Sequence, residues 1–250
     1  MIYGKEVIGM PSGTLKTFQF LGLTFDWTTI ISTSMAFVLV LAIVIFLSRK
    51  LSIRPGKRQN FLEWTIDFTN RIVKDQIPTA EGSTYRLYIF TLFLFIFVSN
   101  QMGLFLQFGS DSAQIKSPTA VPLVTMTMAL ITLMVARFAG VGKFGYKGYF
   151  RNTYLAPIPV LFPINILEQF TNFLTLGLRI YGNIFAGEIL LTLISGFALP
   201  SDKLSSPLSF ILAIPLELAW QAFSILIGSI QAFVFATLTS VYISQMVTKE

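Results

Sequence analysis

A single arginine inside an apolar stretch constrains this chain more than any other feature of it. Residues 177–188 read GLRIYGNIFAGE and lie within the long apolar run 158–197. They put Arg179 and Glu188 at a depth where hydrocarbon is the surrounding solvent. An ionisable group there costs a few kcal/mol or more, so it faces a bundle interior or a water-filled cavity. Arginine cannot shed its proton to escape that cost, because its pKa lies above ~12. Any fold for this chain must give a permanent cation either water or a counter-charge.

Composition sets the class. The chain is 54% hydrophobic and 12% charged, against about 25% charged for a soluble domain. An all-α integral membrane protein of five to six helices, one domain over 1–250, is the expected architecture. With no cysteine and no histidine, there is no disulfide framework, thiolate metal site or imidazole proton shuttle. No cofactor or metal is expected, and no glycine-rich phosphate loop with its lysine is present. The net charge of +6 reflects how basic residues distribute across a membrane rather than a nucleic-acid partner.

Residues 1–26 lack the basic start and apolar core of a cleaved signal, and form an expected external N-terminus. The run 27–48 is the first span, ~33 Å long as a helix. Arg49, Lys50, Arg54, Lys57 and Arg58 follow it, which makes that end cytoplasmic by the positive-inside tendency. An interfacial amphipathic helix is expected over 57–77. On it Phe61, Trp64, Phe68 and Ile72 share one face, and Glu63, Asp67, Arg71 and Lys74 form a solvated one.

A helical hairpin is expected over 85–137. Its outward run, 86–108, carries Asn100 and Gln101, the outer loop spans 109–118, and the return is the short, Thr-rich 122–136. Arg137, Lys143, Lys147 and Arg151 then mark a second cytoplasmic loop. The runs 158–197 and 208–246 are each ~60 Å as helices, about twice the hydrocarbon thickness, so they must tilt steeply. The C-terminus is expected to be cytoplasmic.

Phase along these last two helices organises their polar residues. With Glu168 at zero, Asn172, Thr175, Arg179 and Asn183 fall within about 60° of it. Glu188 lies about half a turn away from Arg179. On the last helix Glu217, Ser224 and Gln231 recur every seven residues, with Gln221 and Gly228 beside them, as a second stripe able to meet the first. Gly177, Gly182 and Gly187 have the small size that lets membrane helices approach closely. A purely structural ion pair from Arg179 to Glu188 or Glu217 is the alternative to a functional cation, and the phase argues against Glu188.

GLRIYGNIFAGE, IQAFVF at 230–235 and SPTA at 117–120 together resemble subunit a of F-type ATP synthases, over nearly the whole chain. The resemblance implies a static, non-catalytic subunit facing a ring of c subunits, with a b-subunit peripheral stalk and the rest of the complex as partners. Arg179 would meet the membrane-embedded carboxyl of each passing ring subunit and separate two offset half-channels. Glu188, Ser224, Gln231 and Asn100 would line the outer path, with Asn183 and Gln231 beside Arg179. Glu168, Asn172 and Thr175 are the candidates for the cytoplasmic path, more on their shared stripe than on family motif. The sequence departs from the family pattern at Val121 and Leu123, at Ser224 (His or Glu in many relatives) and at Gly103 (an acid in some). Glu217 is therefore expected to take over part of the missing acid's role. A bacterial plasma membrane is the expected location. A standalone channel or transporter and a structural membrane scaffold are the competing classes, and the chain lacks the internal repeat common in transporters.

Overall fold

The computed structural model describes residues 17–20, 23–49, 52–54, 56–77, 81–106, 117–155, 158–198 and 207–248. The loop segments 109–116 and 200–206 and residues 1–16 lie outside them. Six α-helices stand among the described residues: α1 (Trp27–Ser48), α2 (Lys57–Gln76), α3 (Gly82–Leu106), α4 (Pro122–Phe150), α5 (Phe162–Ala198) and α6 (Pro207–Thr248). All but α2 are long and apolar enough to cross a membrane. The fold is thus the expected all-α membrane architecture, with one addition ahead of it. Strands β1 (Thr17–Phe20) and β2 (Leu23–Asp26) pair antiparallel, Thr17 opposite Asp26. Their alternation of Phe or Leu with polar residues suits a pleated ribbon.

Proline marks two of the α-helix starts and two short turns. Pro122 opens α4 and Pro207 opens α6, while short 3₁₀ turns begin at Pro118 and Pro159. Each uses the position where a missing N–H costs nothing. At 37 and 42 residues, α5 and α6 extend ~55 and ~63 Å.

The second half of α6 is the central post, packed by α2, α3, α4 and α5. Two apolar clusters surround it. One joins Ile72, Val73 and Ile77 to Ile89, Ala236 and Ile243. The other joins Leu92, Ile96 and Ala129 to Leu176, Ile180 and Phe235. The first half of α6 and one flank of α5 are left uncovered, showing Leu167, Phe170, Leu178, Phe223 and Leu226 to the surroundings.

Two expectations are corrected here. The α4 helix does not end near Ala136 but runs to Phe150, so Arg137, Lys143 and Lys147 sit on helix rather than loop. Within it Gly145 adopts φ 68°, a left-handed conformation that favours glycine, and it breaks the axis. A Cβ at Gly140 would come within 2.9 Å of the Tyr149 ring. Nine residues span ~13 Å in a straight helix, so the chain has folded back on itself. Lys143 reaches Glu81 at 3.2 Å, tying α4 to the start of α3.

The second correction concerns α2. Its buried stripe is Leu62, Thr65, Thr69, Ile72 and Val73. Phe61 and Trp64 point outward, with Trp64 stacked on Phe61 at 6.3 Å and on Phe68 at 5.9 Å. The helix therefore has two apolar faces, one against protein and one aromatic, which suits an element lying at a membrane interface. Glu63, Asp67, Arg71 and Lys74 are all exposed.

Candidate ion-path site

The α5 stripe emerges as the phase predicts. Glu168, Thr175 and Arg179 are exposed, and Asn172 and Asn183 are half-buried. Arg179 makes no ion pair among the described residues, where the single ion pair joins Lys143 and Glu81. Glu188, half a turn away in phase, is half-buried and lines a cavity between helices. A structural Arg179–Glu188 or Arg179–Glu217 bridge is not formed. Tyr242 of α6 lies within electrostatic reach of both Arg179 and Glu168, so the stripe borders the central post. At its start, Gln169 accepts a 3.5 Å hydrogen bond from Arg137 of α4.

Further along α5 from Arg179, helices α3, α5 and α6 enclose a cavity of about 80 Å³. Asn100 from α3, Asn183 and Glu188 from α5, and Trp220 and Ser224 from α6 line it. The volume has room for several waters. Glu188 is the one titratable side chain in this lining. Four residues singled out in the sequence are thus brought together from three helices. Glu217 and Gln231 are not in the lining. Gln231 is 8% exposed and its Nε2 has no hydrogen-bond partner. Glu217 lies seven residues before Ser224, ~10 Å further along α6, and is half-buried.

The second stripe meets α3 as well as α5. Asn100, 4% exposed, donates through Nδ2 to the Gly228 carbonyl at 3.0 Å. Gln101 donates to the Ile225 carbonyl and the Ser229 hydroxyl, both at 3.2 Å. These bonds fix α3 against α6 and hold Asn100 at the cavity wall. Gly228 permits the approach, since a Cβ there would stand 3.3 Å from the Asn100 Cβ.

The three glycines of the α5 motif separate in role. Gly177 is a contact point, where a Cβ would meet Met126 Cα at 3.3 Å. Gly182 and Gly187 have nothing within 4 Å of that position among the described residues, and Gly187 lines the cavity. Gly103 is filled space of a different kind. A Cβ there would stand 2.6 Å from the Ser117 Cβ, and Ser117 donates to the Ser99 carbonyl at 2.9 Å. No acid fits at position 103 while Ser117 occupies that place. Gly103→Ala is expected to destabilise the fold by about 1–3 kcal/mol through overpacking. Thermal unfolding in detergent checks it, and an unchanged midpoint would show that the loop yields freely.

The indole of Trp220 and the amide of Gln101 were not assigned to a site from sequence. The tryptophan falls between Glu217 and Ser224, beside Gln221, but reads as one more apolar residue of the run. Gln101 stands beside Asn100 in a Phe- and Leu-rich helix, and that adjacency was the only signal for it.

Comparison with known proteins places this geometry. Residues 30–244 match the family model for the ATP synthase A chain. A protein of Pediococcus pentosaceus named ATP synthase subunit a is 53% identical, over 96% of this chain and 100% of that protein. The Enterococcus hirae protein of the same name is 47% identical, over 94% of this chain and 97% of its own. The Bacillus subtilis one is 46% identical, over 94% and 98%. With its five apolar helices, this multi-pass membrane chain belongs to the ATP synthase A chain family, as a membrane-sector subunit and not a catalytic one.

Proposed function

We propose that this chain is the static half of an ion-driven rotary motor, supplying two offset half-channels to a ring of c subunits. One observation carries the proposal. Arg179 sits on an uncovered apolar flank with no acid in ion-pair reach among the described residues, while the cavity further along α5 holds Glu188. An unpaired cation on a membrane-facing surface requires a counter-charge from outside the chain. Ring carboxyls passing it would supply one.

The roles follow from position. Arg179 favours the ionised form of each arriving carboxyl by opposite-charge attraction, so that the ion leaves before the carboxylate passes. The same charge repels cations crossing directly between the two paths. The cavity with Glu188, Ser224, Asn100 and Asn183 forms the outer path. Glu217, toward the start of α6 and outside the cavity lining, takes over part of the missing acid's role in that path. Glu168, Asn172 and Thr175 line the cytoplasmic path, and Gln231 orients Arg179 from α6. The N-terminus lies outside and the C-terminus in the cytoplasm of a bacterial cell, with a b-subunit stalk holding the chain against the ring.

A dependence on the ring separates this from an autonomous channel. Vesicles reconstituted with the chain alone are expected to show no ion flux above empty vesicles, and flux is expected once the ring is added. Conduction by the chain alone would favour the channel instead.

A further inference from the structure

The cavity wall carries a donor and an acceptor that the protein leaves unused. Trp220 Nε1 and Asn100 Oδ1 are sealed from solvent and have no hydrogen-bond partner, and both side chains line the same cavity as Glu188. Leaving such groups unmet costs about 1–3 kcal/mol each. Structures retain that cost where water or function meets it. An ionised carboxylate accepts hydrogen bonds only, and an indole N–H donates only. Asn100 gives one Nδ2 hydrogen to the Gly228 carbonyl, while its Oδ1 has no donor of its own. Trp220 Nε1 is a donor that can do nothing but donate and has no partner, and the cavity is large enough for the water that would join it to Glu188.

We infer that Trp220 is a positioning residue of the outer path: its indole N–H holds a water shared with the Glu188 carboxylate, and Asn100 Oδ1 accepts from the same water cluster. Trp220 transfers no proton itself. It fixes the last water before Glu188, so that ions reach the carboxylate along one route. This rests on the cavity being the outer half-channel.

The test compares variants in the assembled membrane sector, measuring passive proton flux through vesicles stripped of the catalytic sector. Tryptophan at 220 is replaced by 3-benzothienylalanine, which keeps the bicyclic shape and lacks the N–H. The expected result is a loss of flux of about tenfold, as for a hydrogen bond to a charged group, with a displaced pH profile. In a Glu188→Gln background the same replacement is expected to change flux less than about twofold, because the two residues act as a unit. Unchanged flux, an unmoved pH profile, or an equal loss in the Glu188→Gln background would overturn the role of Trp220. Glu188→Gln alone separates the two levels. If it leaves flux intact, the path assignment fails; if it lowers flux and the isostere does not, only Trp220 fails.

Discussion

Arg179→Ala is expected to abolish ATP-driven ion pumping while the complex still assembles. The side chain is exposed and has no ion pair among the described residues, so its removal breaks no charge pair within the fold, and surface changes of that kind stay within about 0.5 kcal/mol. The functional cost is of another order. Two unit charges at ~4 Å and an effective dielectric of 20 interact by about 4 kcal/mol, roughly a thousandfold in the ionisation of a passing carboxyl. Without that bias, protonated carboxyls pass unreleased and the barrier between the two paths is gone. Arg179→Lys is expected to fail as well, because an ammonium on a flexible stem does not reproduce a planar fork of donors. Acidification of inverted vesicles on ATP addition, with immunoblots for assembly, reads both. Normal pumping in the alanine variant would remove Arg179 from the mechanism.

Glu188→Gln has the second-largest expected effect, a fall in passive proton flux of tenfold or more. Its carboxyl is the one titratable group lining the cavity, and a positioned proton-transfer group contributes about 10²–10⁴ where no substitute exists. Water in the cavity provides a partial bypass, which sets the lower figure. Glu217→Gln is expected to slow flux less, since Glu217 is outside the lining. Wild-type growth of the Glu217→Gln strain on a respiratory substrate would take Glu217 out of the path altogether. Equal losses at 188 and 217 would place both acids on one wire.

Much of this arrangement was legible in the sequence, for a physical reason. Periodicity within one helix fixes the direction of each side chain, so Arg179 and Glu188 were expected on opposite faces, and the structure has one outward and the other lining the cavity. Asn100 and Ser224 stood out as polar positions on apolar helices. What periodicity does not fix is axial register between helices far apart in sequence. The meeting of Asn100 with Gly228, the clamp from Gln101, the place of Trp220 and the absence of Glu217 from the lining all depend on that register. Break points were hidden as well. The glycine-rich stretch around Gly145 looks like loop in composition, yet helix continues on both sides of a single left-handed residue. On α2, helical phase puts Ile72 on one face with Phe61 and Trp64, but it packs inward with Leu62, Thr65 and Thr69 while Trp64 is 63% exposed.

The uncovered flank of α5 is where the account stands or fails, and the chain's lack of cysteine gives a clean background for probing it. Thr175→Cys places a thiol on the exposed stripe one helical turn from Arg179. A second cysteine is placed one turn from the carboxyl of each ring subunit, and the assembled complex is oxidised. A disulfide forms only where Cα atoms come within about 7 Å. The account predicts a bond between position 175 and the ring, and none from Phe138→Cys, an exposed position on α4. No bond from 175, or equal bonding from 138, would mean that the flank bearing Arg179 does not face the ring.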